Sequence, residues 1–301
     1  MKRVLVFGGS GLVGSKFIQM HSSAFEIKAP FAMEIDILKK DQLLKIVQNF
    51  EPDVVINFAA YTQVENAEAQ KDDKSGICYQ INVVGARNVA EVCKEFSKKL
   101  VHISTEYVFD GTKTVSPYTE EDKPNPINWY GQTKYFGEQF VLESGCFATI
   151  VRICMPFSPF YEPKKDIARF FLDQLRSGNE ITAVEDQRIT PTLVTDIACA
   201  LAELVKAKKE GIYHACSTSN IIPYEFAKLI AQKFNLDVSL VKPVSFDEYN
   251  KNKQAKLLKN SWLDSTKFVT EFGAGILHTV AENVLSFKSL SEQVVDGRIL
   301  N

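Results

Sequence analysis

An apolar run, Arg3–Phe7, ends in the glycine turn FGGSGLVG (7–14), and a helical pattern carries on from Leu12 to Met20. Strand, glycine turn and helix in that order restrict the chain to few folds. The spacing is Gly8-x-x-Gly11-x-x-Gly14. Gly8 lets the chain turn where a Cβ would clash. Gly11 lets backbone approach a pyrophosphate at the positive end of the helix, and Gly14 allows close helix–strand contact. A strand before and a helix after are the context that separates a dinucleotide site from a plain turn.

The same alternation continues. Strands are expected at Phe25–Ala29, Asp53–Phe58, Leu100–Ser104 and Ala148–Ile153, and helices at Asp41–Asn49, Ile81–Phe96 and Tyr130–Leu142. The strands are continuous apolar runs, as a sheet covered on both faces requires. Strands alternating with helices predict an α/β fold, a Rossmann-type doubly wound parallel sheet with right-handed crossovers. Beyond residue 154 the pattern loosens. MPFSPFYEPKK (155–165) reads as a loop. Helices are expected at Ile167–Leu175, Thr195–Lys206, Pro223–Lys233 and Ala274–Leu285, with short strands at Glu180–Val184 and Gly211–His214. The basic stretch KNKQAKLLK (251–259) reads as a solvated face, with an anionic-ligand contact as the alternative.

The 301 residues allow one or two domains at roughly 150 residues each. A formal net charge of −2 gives no electrostatic case for nucleic acid or an anionic membrane. No apolar run reaches the roughly 18 residues of a membrane span. The first apolar run stops after Phe7, too short for a signal peptide. The cysteines form no C-x-x-C pair and sit in apolar segments, so they read as reduced packing residues of a cytoplasmic protein. His21, His102, His214 and His278 lack ligand spacing, and no metal is expected.

Two further features carry chemistry. The strand LVHIS runs into Ser104-Thr105 at the carboxyl edge of the sheet, where ligands of open α/β folds bind. Then comes Tyr130-x-x-x-Lys134, and four residues along a helix share one face. A carbonyl being reduced by hydride needs a proton on its oxygen, which a phenol can supply. A nearby ammonium favours the phenolate and lowers a phenol pKa of about 10 toward neutrality. Lys134 can also bond the nicotinamide ribose, and Thr105 or Ser104 can hold the substrate oxygen. The dinucleotide is less determined. The end of the second strand carries Lys28 and no acid, which leans to NADP with NAD kept open; Asp36 stands better placed for the adenine.

Taken together, FGGSGLVG (7–14), DVVINFAAYTQVENAE (53–68), INVVGARNVAE (81–91), VHISTEYVFDG (101–111), EEDKPNPINWYGQTKYFGE (120–138), DQRITPTLVTDIA (186–198) and NSWLDSTK (260–267) resemble the extended short-chain dehydrogenase/reductase family, and within it the dTDP-4-dehydrorhamnose reductase group. The resemblance implies a Rossmann domain over 1–154, to which 192–208 returns, and a smaller, discontinuous substrate-binding domain mainly from 155–301. It implies NAD(P)H-dependent reduction of a 4-keto-6-deoxy sugar nucleotide, with Thr105, Tyr130 and Lys134 catalytic and Tyr130 as proton donor. The cofactor would lie along Gly8, Ser10, Gly11, Leu12 and Val13, with Asp36 and Ile37 at the adenosine. Phe58, Ala59, Ala60, Tyr61, Ile103, Ser104, Tyr130 and Lys134 would complete its site. Thr62, Val64, Thr105, Glu106, Tyr107 and Met155 would face the sugar or its binding pocket. A homodimer is a family expectation. Related dehydratases carry an Asp-Glu pair after the strand-end Thr; here Tyr107 takes the second place, so elimination lacks its pair.

Three departures from the group pattern stand out. R-T-S-W-V-Y is replaced by Arg152-Ile153-Cys154-Met155-Pro156-Phe157, with Met155 in place of the aromatic wall. D-Q-x-G-x-P-T appears without its glycine as Asp186-Gln187-Arg188-Ile189-Thr190-Pro191-Thr192. An R-P pair is replaced by Leu257-Leu258, leaving Lys256 or Lys259 to meet a phosphate. The lost tryptophan and the Q-R near P-T also resemble the regulatory beta subunits of methionine adenosyltransferase. That resemblance implies an NADP-binding interaction partner without turnover. Another sugar-nucleotide reductase or epimerase of the extended family is the third alternative.

Overall fold

The computed structural model of the chain describes residues 1–161 and 163–293. In chain order its first half reads β1 (Lys2–Phe7), α1 (Leu12–His21), β2 (Phe25–Lys28), α2 (Lys40–Phe50), β3 (Val54–Asn57), α3 (Val64–Glu68) and α4 (Ile77–Tyr79). A π-helical segment, Gln80–Gly85, runs into α5 (Ala86–Glu95), followed by β4 (Lys99–Thr105), α6 (Trp129–Glu143) and β5 (Ala148–Ile153). The second half adds β6 (Pro156–Phe157), α7 (Ile167–Arg176), β7 (Ile181–Val184), β8 (Thr192–Leu193), α8 (Val194–Lys206) and β9 (Gly211–His214). It ends with α9 (Pro223–Lys233), β10 (Val241–Val244), α10 (Phe246–Asn250), α11 (Thr266–Phe272) and α12 (Val280–Glu292).

Six parallel strands form the main sheet in the order β2-β1-β3-β4-β5-β9. The expected doubly wound Rossmann-type sheet is therefore present. Successive strand residues face opposite ways, so each strand feeds two cores. Val4, Val6, Val54, Ile56, Val101 and Ile103 pack with Val13 and Phe17 of α1 and with Ile197 and Leu201 of α8. Leu5, Phe7, Val55, Leu100 and Ile150 pack with α2, α5 and Val141 of α6. At about 25 cal/mol per Å² of apolar surface, these two layers are the main stabilising term of the sheet. The reversal of strand order falls between β1 and β3, which opens a crevice beyond their carboxyl ends. A third core joins Phe157, Leu193, α7, β7, α9, β10 and α12 into a smaller lobe.

Several boundaries differ from expectation. Ile81–Phe96 is a π segment followed by α5 rather than one helix; a Cβ at Gly85 would strike Ile37, and π segments gather at functional sites. The last helix starts at Val280, not Ala274. Gly273 and Gly275 hold φ of 95° and 94°, and Thr279 with Glu282 forms a capping box that sets the start. The proline-rich 155–165 stretch contains β6, which pairs in parallel with β8. The pattern reading missed β10 and α11. Among the described residues no helix is long and apolar enough to cross a membrane.

Candidate active site

β1 delivers the chain to the crevice at Phe7. Gly8 has φ of 75°, and a Cβ there would lie 2.5 Å from the Ala59 nitrogen. The turn is thereby seated on the residues following β3, with Phe58 donating its N–H to the Phe7 carbonyl at 2.9 Å. A Cβ on Gly14 would lie 2.7 Å from the Gly8 oxygen, so the first helical turn packs on the glycine turn itself. Gly11 is the N-cap of α1. Among the described residues no side chain caps it, and its first turn holds no acid. The helix therefore presents open N–H groups and its positive end, which suits an anion. Leu12 and Val13 open the helix, and Ser10 is exposed, its carbonyl accepting from Tyr161 Oη at 3.2 Å. For Gly8→Ala we expect at least about tenfold weaker dinucleotide binding, since a displacement costing about 1.4 kcal/mol suffices. Fluorescence titration with NADPH checks this, and affinity equal to wild type would contradict the turn's role.

On the adenosine side, Asp36 Oδ1 accepts from the Leu38 N–H at 2.9 Å and the Asp36 N–H donates to Gln42 Oε1 at 2.8 Å. Ile37 is buried, and its carbonyl accepts from Asn88 Nδ2 at 3.0 Å. Lys28 is exposed, with Nζ 5.5 Å from the Phe50 ring centre, on the α2 face of β2. After β3, Ala59 N–H donates to Asn57 Oδ1 at 3.1 Å and Tyr61 N–H to Asn82 Oδ1 at 2.8 Å, with half-buried Ala60 between them. Thr62 is exposed, and Val64 packs against the cluster around Tyr130.

The end of β4 meets the start of α6. Asn128 N-caps α6, accepting from the Gly131 N–H at 2.8 Å, and its Nδ2 donates to the Lys256 carbonyl at 2.8 Å. A Cβ on Gly131 would strike the Tyr107 carbonyl, and one on Gly137 the Asn82 carbonyl, so these glycines let α6 close on the β4 exit and on the π segment. Tyr130 and Lys134 are both buried. Lys134 Nζ donates to the Ile103 carbonyl at 2.7 Å. Burial lowers its pKa to about 8, opposed by the Glu138 charge and by Cys78. The Ser104 hydroxyl is buried without a partner among the described residues. Thr105 Oγ1 donates to Glu106 Oε2 at 2.7 Å.

One expectation changes here. Lys134 was expected to pull the Tyr130 pKa down. Instead burial, and then the Glu106 charge, push it up, with the Thr105 side chain working the other way. Glu106, expected at the sugar or its pocket, is 4% exposed and bonded to the Thr105 hydroxyl. Burial raises its pKa from 4.5 to about 7, against hydrogen bonds from Thr105, its own backbone, the Met155 backbone and Cys154. Met155, in the place of the expected aromatic wall, has φ of 40°, a left-handed conformation unusual for a side chain of that size. Tyr107 is half-buried and meets the Tyr130 ring edge-on, centroids 5.5 Å apart.

The raised pKa of Glu106 has a signed consequence for stability. Folded protein holds this proton more tightly than the unfolded chain. Its stabilising contribution is complete below pH 4.5 and is lost as pH rises to about 7. Relative to Glu106→Gln, wild type should lose unfolding free energy across that interval. Parallel urea denaturation series at several pH values check it, and a constant difference would contradict it.

Pattern reading missed three polar contacts. Asn82 Nδ2 reaches the Tyr61 carbonyl at 3.1 Å and Thr133 Oγ1 at 3.0 Å, tying the β3 exit to α6. Asn88 holds the Asp36–Leu38 loop. Arg152 forms a two-pronged pair with Glu138. Only a polar residue breaking the apolar face of INVVGARN hinted at the first two. The 186–192 and 260–267 segments join through an Arg188–Asn260 bridge, with Leu263 N–H donating to Thr190 Oγ1 at 3.0 Å. Lys259, expected as a possible phosphate contact, pairs with Asp186 at 2.8 Å. In the same basic stretch, the Gln254 N–H donates to Glu65 at 3.0 Å.

The family model described as "RmlD substrate binding domain" matches residues 1–287. A dTDP-4-dehydrorhamnose reductase of Aggregatibacter actinomycetemcomitans is 31% identical over 286 residues, covering 91% of this chain and 94% of that one. A methionine adenosyltransferase 2 subunit beta of Rattus norvegicus is 30% identical over 283 residues, covering 89% and 82%. The crystal structure of dTDP-4-dehydrorhamnose reductase from Bacillus anthracis in complex with NADP superposes with a TM-score of 0.87 at 31% identity, covering 96% of this chain and 99% of that one.

Proposed function

Because this chain belongs to the RmlD substrate binding domain family, we propose that it reduces a 4-keto-6-deoxy sugar nucleotide with NADPH, NADH being the alternative reductant. The observation that carries this reading is the meeting of Thr105, Tyr130 and Lys134 at the carboxyl end of β4. The glycine cradle and the uncapped start of α1 fit a dinucleotide pyrophosphate. Bound there, the dinucleotide supplies hydride. Tyr130 Oη gives its proton to the carbonyl oxygen that becomes a hydroxyl. Burial keeps the phenol protonated until that oxygen takes on charge. In our reading Thr105 holds the substrate oxygen, and Lys134, fixed by the Ile103 carbonyl, keeps its ammonium on the cofactor side of α6. Tyr107 in place of a second carboxylate supports carbonyl reduction over elimination.

The sequence division at 154/155, with 192–208 rejoining the first domain, belongs to this proposal; it is supported by α8 packing against β1, β3 and α1. Cytoplasmic location and a homodimer belong to it too, the former supported by six unpaired cysteines among the described residues. The test is oxidation of NADPH and NADH with dTDP- and UDP-linked 4-keto-6-deoxy sugars. Turnover with one of them is the expected result.

The match to methionine adenosyltransferase beta subunits and the Met155 replacement favour a second reading, an NADP-binding regulatory partner. Tight NADPH binding, no turnover of any keto sugar and a stable complex with a methionine adenosyltransferase catalytic subunit would select it.

A further inference from the structure

We propose that Glu65 of α3 is a positioning residue of the reaction, holding residues 254–258 as the outer wall of the sugar pocket beside the catalytic helix. The inference rests on the reductase reading. Glu65 Oε2 accepts from two successive backbone groups of the C-terminal half, the Gln254 N–H at 3.0 Å and the Ala255 N–H at 3.4 Å. One residue on, the Lys256 carbonyl accepts from Nδ2 of Asn128 at 2.8 Å, and Asn128 is the N-cap of α6, two residues before Tyr130. Leu258 then enters the buried cluster against which Tyr107 and Met155 pack. The stretch thus runs from α3, past the start of α6, to two side chains expected at the sugar or its pocket.

This wall needs outside anchors because it has no regular structure of its own. Residues 251–259 form neither helix nor strand. No ladder holds their backbone, so side chains from other segments must satisfy it. At the far end, Gln187 Nε2 donates to the Leu258 carbonyl at 2.7 Å, and a Cβ on Gly111 would lie 2.9 Å from the Leu258 Cα. The near end hangs on Glu65 and Asn128. Among the described residues the Gln254 and Ala255 N–H groups have no other partner. Ala255 is 0% exposed, so its N–H has no access to water in place of the carboxylate.

α3 is a suitable base for the anchor. Its other carboxylate, Glu68, accepts from the Trp129 N–H at 2.8 Å, at the first residue of α6. Residues three apart on a helix lie on one face, so a single turn of α3 grips both the catalytic helix and the wall. The same turn follows closely on Ala59–Tyr61, the strip expected along the cofactor. An ionised acceptor makes the stronger kind of hydrogen bond to a backbone N–H. Asn128 cannot be removed without uncapping α6, whereas Glu65 makes no hydrogen bond to α6.

Releasing the near end frees the wall to leave the pocket while Thr105, Tyr130, Lys134 and the glycine turn keep their own contacts. The sugar nucleotide then loses contact equally before and during hydride transfer. Such a loss raises KM and leaves kcat in place.

The test is steady-state NADPH oxidation by the full chain with the keto sugar it turns over, together with backbone hydrogen exchange of residues 254–256. E65A should raise KM for the sugar at least about tenfold, the equivalent of one charge-assisted hydrogen bond. Its kcat should stay within about threefold of wild type, its NADPH affinity should be unchanged, and exchange at Gln254 and Ala255 should quicken. E65Q keeps an acceptor oxygen of the same reach and should recover most of the KM and the slow exchange. E65S, too short to reach the wall, carries the test should E65A not fold. Wild-type KM in E65A overturns the proposal, as does a KM rise matched by loss of NADPH affinity, or an E65Q no better than E65A. Any of these with wild-type turnover intact leaves the reductase reading standing; absence of wild-type turnover on every keto sugar overturns both.

Discussion

Tyr130→Phe should lower kcat for keto-sugar reduction by about 10²- to 10⁴-fold, the usual contribution of a positioned general acid. The substitution removes one oxygen from a ring that is 8% exposed and otherwise packed against Trp129, Val64 and Tyr107. Phenylalanine fills the same space, so folding and NADPH affinity should change little. The change should appear in kcat and kcat/KM together, because the lost interaction exists only as the substrate oxygen takes the proton. Steady-state NADPH oxidation gives the rate, and fluorescence titration gives the affinity. Retention of more than about a tenth of wild-type kcat would mean that another group supplies the proton, since acid catalysis removed outright costs at least about a hundredfold.

Arg152→Met should destabilise the protein by about 3–5 kcal/mol, the range for stripping one partner from a buried ion pair. Arg152 Nε and Nη2 bond Glu138 Oε1 and Oε2 at 2.9 and 2.7 Å, and both side chains are 1% exposed. The guanidinium also lies 5.0 Å from the Phe109 ring centre. Without it, the Glu138 carboxylate stays buried with no bonded partner and only the Lys134 ammonium as countercharge. The double variant R152M/E138L should recover most of the loss, because well-packed apolar replacements of buried pairs are often neutral. Urea denaturation of both variants measures this. A double variant no more stable than R152M would locate the cost in packing rather than in the orphaned charge. Glu138 also favours the ammonium of Lys134 four residues earlier in α6, so its removal should lower the Lys134 pKa further.

Much of the frame is legible in local pattern. The glycine turn, the runs of β1, β3, β4 and β5 and the start of α6 lie within a residue or two of expectation, since each depends on neighbours a few positions away. The misplaced start of α12 has a local cause too, as the Thr279–Glu282 capping box outweighs the helix-forming residues before it. The π segment at Gln80–Gly85 has a distant one. It follows from Gly85 meeting Ile37 and from Asn82 reaching Tyr61 and Thr133, contacts no window of a dozen residues contains. β10 is short and carries Pro243 at a sheet edge, so it offered little strand pattern to read.

By itself the sequence determined that a strand must turn on glycine into a helix beneath an anion, and that a phenol and an amine share a helix face near a hydroxyl at a strand end. Backbone sterics and helical periodicity act over a few bonds and so are written in order along the chain. Only the tertiary structure decided which of those groups lose water and what they touch instead. It turned Lys134 to a carbonyl on β4, bonded the Thr105 hydroxyl to Glu106, and buried the phenol, which pushes its pKa up ahead of any neighbouring charge. Desolvation and charge depend on every atom within several ångströms, and those atoms come from different elements of the chain that only folding brings together.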